Sequence, residues 1–309
     1  MSLKGIIEKG GDWVPPRLVI FGDQKSGKTS TAAQAPNPLY IGTDDGRRRL
    51  AVDGLPIPQT WEEFVTQLEQ VVAEAKGLEF KSVVTDTLNG VIDLCAEHIC
   101  LTQFGGEWNS PKDGFLAWGG NRGWAAVSEE MRRILPLYDS LIDQGLWVIL
   151  LAHSETQKVK NPLAEDYDRY APAMDKKVWA RFGRWADVIL RVDYQVSMVE
   201  RDGRAKAVSD GTRILRCSAS AAEVAGCRVG YELPAEIPFA WASIEEHLGQ
   251  PDTSTLEILA GLYSQTDAET QRKVLDFLGI KNINDLPSAP LHKAKAAINR
   301  LTATLEASS

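Results

Sequence analysis

Residues 22–29 read Gly-Asp-Gln-Lys-Ser-Gly-Lys-Thr, and this octet constrains the chain more than any other stretch. Glycines at both ends of a short loop let backbone N–H groups turn inward and ring an anion. In that arrangement Lys28 reaches the outer phosphates of a polyphosphate chain, and the Thr29 hydroxyl sits on a divalent cation. The flanks agree with this reading. Arg17-Leu-Val-Ile-Phe21 is a short apolar run of the kind a buried parallel strand needs. Ser30-Thr-Ala-Ala-Gln-Ala35 continues helically until Pro36 stops it. A helix starting there aims its positive end at the same phosphates. The expected phosphate-contacting set is therefore Gly22, Asp23, Gln24, Lys25, Ser26, Gly27, Lys28, Thr29 and Ser30.

Two later stretches fit the same site. Lys81-Ser-Val-Val-Thr-Asp86 is a buried strand ending in a carboxylate, the form of a Walker B segment that holds Mg²⁺. Thr29 and Asp86 are thus the expected metal residues, with ATP and Mg²⁺ as the implied ligands. Leu146-Trp-Val-Ile-Leu-Leu-Ala152 is another buried strand, and it ends in His153-Ser154-Glu155. His153 would stand beside Asp86 as a γ-phosphate sensor, or serve as a hydrogen-bonded structural histidine. Between the phosphate loop and Lys81 lies the strand Pro38-Leu-Tyr-Ile-Gly42, followed by Thr43-Asp44-Asp45-Gly46. Acidic residues just past a strand's carboxyl end sit where open α/β sheets bind ligands, although a solvated acidic turn reads the same way.

The remaining pattern gives the organisation. At 309 residues the chain holds one large domain and an appendage. Residues 1–16 read as an N-terminal arm, 17–250 as the core and 251–309 as a helical module. Thr60-Trp-Glu-Glu63 is a capping box before a helix with Trp61, Phe64, Leu68, Val71 and Val72 on one face. Leu88 to Phe104 and Trp124 to Gln144 read as helices, the second kinked at Pro136. Ala186–Asp193 and Thr212–Arg216 read as late strands, with a hairpin turn at Asp202-Gly203. The tail has a capping box at Thr266–Glu269, a helix stop at Gly279 and a last helix from Leu291 to Leu305.

Two segments break the pattern. Residues 105–123 carry six glycines and a proline together with Trp108, Phe115 and Trp118. Those rings either stack on single-stranded bases or cover the core. Residues 154–177 read as a second irregular loop. From Lys158 to Arg184 seven basic residues face four acids, an excess in a chain of net charge −8 that suits either phosphate contacts or a charged, solvated loop. No apolar run approaches the length of a membrane span, and the N-terminus has no signal-peptide core, so a cytoplasmic protein is expected. Cys95, Cys100, Cys217 and Cys227 form no C-x-x-C pair and read as reduced thiols.

This order resembles the RecA-like core: an α/β P-loop NTPase with a mostly parallel sheet, late antiparallel strands and a small C-terminal helical module. More narrowly, Phe21–Thr29, Ala35-Pro-Asn-Pro-Leu-Tyr-Ile41 and Thr85-Asp-Thr-Leu88 resemble phage nucleotide-binding proteins that act as RecA-like single-strand annealing ATPases. The likeness covers about residues 17–245. It implies ATP bound between subunits of a homo-oligomer, a filament or a ring. It implies single-stranded DNA on the loops at 105–123 and 154–175, with Trp108, Lys112, Trp118, Arg122, Lys158, Lys160 and Arg169 as candidates. A single-strand DNA-binding protein is a further candidate partner. The catalytic set it implies is Lys28, Asp44, Asp86 and His153. Asp44 falls where a glutamate is usual, and its shorter side chain implies slow turnover. Arg213, Arg216 and Arg228 are the candidates for reaching a neighbour's ATP. A hexameric RecA-type helicase or packaging ATPase shares every nucleotide residue. A P-loop kinase fits less well, and a GTPase lacks its N-K-x-D motif.

Overall fold

The computed structural model describes residues 13–119, 121–162, 165–201 and 204–308. The chain divides into two compact units, one spanning Pro15–Trp241 and the other running from Ala242 onward with Trp13 and Val14 included. The expected arm at residues 1–16 lies mostly outside the described residues.

The larger unit contains β1 (Leu18–Gly22), α1 (Lys28–Ala32), β2 (Pro38–Ile41), β3 (Asp53–Gly54), α2 (Trp61–Glu74), β4 (Ser82–Thr85) and α3 (Leu88–Gln103). It continues through α4 (Asn121–Glu130), α5 (Leu135–Asp143), β5 (Trp147–Val159), β6 (Tyr167–Pro172), α6 (Lys176–Trp185) and β7 (Val188–Tyr194). The short strands β8 (Ser197–Arg201), β9 (Arg204–Val208), β10 (Arg213–Arg216), β11 (Gly226–Cys227) and β12 (Glu236–Pro238) complete it. Ten strands form one sheet in the order β12-β10-β7-β1-β5-β4-β2-β3, with β11 on β7 and β6 on β5. From β7 to β3 every neighbouring pair is parallel, while β10, β11 and β12 run antiparallel. This is the expected α/β core with late antiparallel strands.

The centre of the sheet follows from residue chemistry. β1, β2 and β4 are buried along their whole length, as strands covered on both faces must be. Helix α2 buries Trp61, Phe64, Val65, Leu68 and Val71 where it packs on β2, α3 and α5, and each such side chain contributes about 1.5–3 kcal/mol on burial. Thr60 caps this helix as read, but Glu63 reaches back to the Gln59 N–H rather than to Thr60. The expected kinked helix at 124–144 is three pieces: α4, a 3-10 turn over Met131–Arg133, and α5. Pro136 opens α5, where its missing N–H costs nothing, so the proline starts a helix instead of bending one.

Residues 154–177 form no irregular loop. β5 continues past the sheet, and its outer half pairs antiparallel with β6 from Ser154↔Pro172 to Val159↔Tyr167. The hairpin is polar on both sides, so no apolar alternation announced it. Strands β8 and β9 pair separately, and the turn read at Asp202-Gly203 lies outside the described residues.

The smaller unit contains α7 (Trp241–Leu248) from its second residue, α8 (Thr253–Ser264), α9 (Ala268–Leu278) and α10 (Leu291–Ser308). The unit boundary therefore falls at the first residue of α7, ahead of the Gln250-Pro251 break suggested by composition. The true cap of α9 is Asp267, which accepts from the Glu269 and Thr270 N–H groups, so the Thr266 capping box does not form. Gly279 ends α9 with φ +76°, the left-handed cap that glycine permits. Leu259, Val274, Leu278, Ala294, Ala297 and Leu301 are its buried centre.

Candidate nucleotide site

β1 delivers the chain to the carboxyl edge of the sheet at Gly22, directly beside His153 of β5 in the parallel register. The loop then turns through Lys25 (φ +62°) and Gly27 (φ +94°) before α1 begins at Lys28. The Lys28 ammonium lies inside the loop and donates to the carbonyl oxygens of Gly22 and Asp23, both at 2.8 Å. Ser26 and Lys28 are buried, while Asp23, Gln24 and Lys25 are exposed and Ser30 faces out of α1. Helix α1 has only five residues. What it offers an anion is its first-turn N–H groups rather than a long dipole. The buried Tyr40 hydroxyl fixes the far side by donating to the Thr29 carbonyl at 2.7 Å.

β4 brings Asp86 to the same edge. Thr29 Oγ1 donates to Asp86 Oδ2 at 2.7 Å, so a hydroxyl and a carboxylate meet at one point. Gly42 makes the approach possible: at φ +122° its missing Cβ would stand 2.5 Å from the Asp86 carbonyl oxygen. Burial pushes the Asp86 carboxyl up to about 6, against the pull of the Thr29 hydrogen bond, with Asp44 adding to the rise. Burial also lowers the Lys28 ammonium, opposed by Asp86, Asp23 and Asp44. A buried carboxylate next to a hydroxyl and an ammonium is a donor set for a hard divalent cation beside an anion. Thr29 and Asp86 would hold Mg²⁺ there, and the ion would neutralise phosphate charge.

Asp44 is exposed at the end of β2. Its backbone N–H donates to the Asp86 carbonyl at 2.9 Å, and its Oδ1 accepts from the Gly46 N–H at 2.8 Å. It is both the acidic turn and a charge on the site. His153 is half-buried, with its backbone N–H donating to Asn89 Oδ1 at 2.8 Å and its ring Nδ1 lacking a partner among the described residues. Burial first, and then the Lys28 charge, lower its pKa, so the neutral imidazole prevails at neutral pH. Ser154 Oγ donates to Asp23 Oδ1, tying the hairpin's root to the phosphate loop.

Sequence reasoning missed two residues at this root. Asn89 in the first turn of α3 also donates to the Ala173 carbonyl at the end of β6, clamping both hairpin strands. Arg191 of β7 is buried, pairs with Asp193 and Glu223 at 3.0 and 2.7 Å, and lies 3.9 Å from the Tyr170 ring of β6. An asparagine three residues after the Walker B carboxylate was the available signal for the first. A lone arginine inside an apolar strand was the signal for the second.

The other expected residues are dispersed. Trp108 packs on buried Phe115 at 4.6 Å between ring centroids, with Phe104 and Trp124 completing the cluster, so these rings belong to the core. Trp118 is 73% exposed, and Lys112 and Arg122 are exposed on the same segment. Lys158 and Lys160 project from the hairpin, and Arg169 is half-buried on β6. Arg213 lies against its own phosphate loop: Nη1 donates to the Ser26 carbonyl at 2.8 Å, and the guanidinium stands 5.1 Å from the Phe239 ring. Arg216 is paired with Glu236 and Asp193, and Arg228 with Asp187. Elsewhere, Glu62, His98 and Glu130 converge, but the Arg133 guanidinium occupies that cluster.

A parallel sheet with a glycine-bounded loop after β1, a buried lysine inside it and a hydroxyl–carboxylate pair beneath it defines a P-loop nucleotide-binding protein. The chain belongs to the AAA domain family, whose model matches residues 14–229. It is also similar to the SPbeta prophage-derived uncharacterized protein YorG of Bacillus subtilis (strain 168), at 22% identity over 176 residues. That match covers 56% of this chain and 49% of the relative, so the chain spans about half the length of the curated relative it matches. Among the described residues no helix is long and apolar enough to cross a membrane.

Proposed function

We propose that the protein is an ATP-dependent single-stranded DNA-binding recombination protein that promotes strand annealing, with ATP held at the interfaces of a homo-oligomer. The observation that carries this reading is the union of the phosphate loop with the β5–β6 hairpin through Ser154 and Asp23. A nucleotide that moves Asp23 or His153 acts on the root of an arm bearing Lys158, Lys160 and Arg169. Those cations suit a phosphate backbone. The exposed Trp118 ring suits base stacking, worth about 1–3 kcal/mol per base. Coupling between the two ligands is then reciprocal: DNA tightens ATP binding as much as ATP tightens DNA binding.

In this reading Lys28 stabilises charge on the transferring phosphoryl group, Asp44 orients the attacking water, and His153 senses the γ-phosphate. Arg216 or Arg228, released from its ion pairs, reaches the neighbouring subunit. The prophage relative supports a phage setting, and in this reading the protein acts in the host cytoplasm alongside a single-strand DNA-binding protein.

The test is ATP hydrolysis with and without single-stranded DNA, an annealing assay and electron microscopy of the products. Stimulated hydrolysis, ATP-dependent annealing and assemblies on DNA are expected, all lost in Lys28→Ala. Wild-type ATP-dependent DNA binding in Lys28→Ala overturns the reading. Strand displacement by closed rings replaces it with a motor, and a phosphorylated small-molecule product replaces it with a kinase.

A further inference from the structure

The helical unit has a cavity of its own, of about 350 Å³, along the seam between α9 and α10. Each helix contributes residues at i, i+3, i+4 and i+7, the spacing of a single face. Val274 and Phe277 of α9 with Ala297 and Leu301 of α10 make an apolar floor. Lys273 and Arg300 stand on the rim, with the Thr270 and Thr304 hydroxyls beside them.

The rim carries charge available to a ligand. The Arg300 guanidinium lies 4.2 Å from the Phe277 ring and has no carboxylate partner among the described residues. Lys273 pairs with Glu269 at 2.7 Å, but both side chains are about 70% exposed. An i,i+4 pair in water is worth only a few tenths of a kcal/mol, so it yields readily to a better anion. Of the side chains that line the cavity, Lys273 and Arg300 are cationic and none is acidic, while the helical stretch 252–309 as a whole is near balance, with seven acids against six bases.

We propose that this seam is a peptide-binding cleft for an acidic segment of a partner protein that carries one bulky apolar side chain. The apolar side chain enters the cavity over Leu301 and Val274. Flanking carboxylates pair with Arg300 and Lys273, a charge-assisted contact stronger than a neutral hydrogen bond. A cavity of this size admits one aromatic or branched side chain, which gives the cleft selectivity that a bare basic patch lacks. A helix pair presenting an apolar floor between charged rims is a common way to receive such a segment. This inference is independent of the nucleotide site.

The experiment uses the full-length protein and fluorescence anisotropy with a labelled synthetic peptide, six aspartates followed by phenylalanine at a free C-terminus. Saturable binding is expected. It should weaken at least about tenfold in Arg300→Glu and in Lys273→Glu, because like charges then face each other. Replacing the peptide's phenylalanine by alanine should weaken it by a similar factor. Lys281→Glu, outside the cavity, should change it less than about twofold. Circular dichroism establishes that each variant is folded, and Thr304→Trp, which partly fills the cavity from its exposed edge, gives a second probe expected to block binding. Equal binding of the alanine peptide, or equal loss in Lys281→Glu, means charge alone is at work and overturns the proposal. So does an oligothymidylate that binds in an Arg300-dependent way where the peptide does not, which makes the seam a nucleic-acid contact.

Discussion

Thr29 and Asp86, 57 positions apart in the chain, meet through a hydrogen bond of 2.7 Å at the carboxyl edge of the sheet. Their meeting assembles the nucleotide site, because it sets the hydroxyl of one βα turn against the carboxylate of another. Removing either should abolish Mg²⁺-dependent nucleotide binding. Thr29→Val keeps the shape and loses the hydroxyl, and a fall of at least about tenfold in Mg·ATP affinity is expected by calorimetry.

Asp86 should trade stability for function in a pH-dependent way. Its carboxyl is raised from 3.8 to about 6 in the folded chain, so keeping it ionised costs folding free energy. That cost is absent below about pH 4, grows as pH rises through the interval and is complete above about 6. Asp86→Asn should therefore be more stable than the wild type at pH 8 by about 1–2 kcal/mol, with the advantage gone at pH 4. Denaturant melts at both pH values measure this. The same titration predicts that wild-type Mg·ATP binding falls as pH drops below about 6.

Arg213 should act on the loop of its own subunit. Its guanidinium holds the Ser26 carbonyl at 2.8 Å. Mixing Lys28→Ala and Arg213→Ala subunits distinguishes the two possibilities. If Arg213 worked across an interface, the mixture would regain activity at sites with both residues intact. No recovery of ATP hydrolysis is the expected result.

The hairpin's lysines should set salt dependence. Lys158→Ala with Lys160→Ala should make the slope of log affinity for single-stranded DNA against log salt shallower by about 1.4. ATP hydrolysis without DNA should be unchanged. A fluorescence titration across salt concentrations checks both.

How much of this was legible depends on how local the signal is. The phosphate loop announces itself because glycine, lysine and threonine must occur at fixed offsets, and the strand ending at Asp86 follows from an apolar run with one charge at its end. The Asn89 and Ser154 contacts were invisible, since each joins residues over 60 positions apart through one polar atom. The hairpin was lost for a different reason: solvated strands such as Thr156–Val159 bury no face, so sequence alternation carries no hydrophobic signal. Of the aromatic rings at 105–123, only packing could separate Trp108, held against Phe115, from Trp118, left in solvent.

β5 runs from Trp147 to Val159 as one uninterrupted strand. Its inner half is gripped on both sides by the sheet, and its outer half, paired only with β6, reaches about 17 Å beyond Ser154. No hinge separates them. A rotation of a few degrees at His153 therefore reappears at the tip as a displacement of an ångström or more, a lever rooted at the sheet edge where Ser154 meets the phosphate loop.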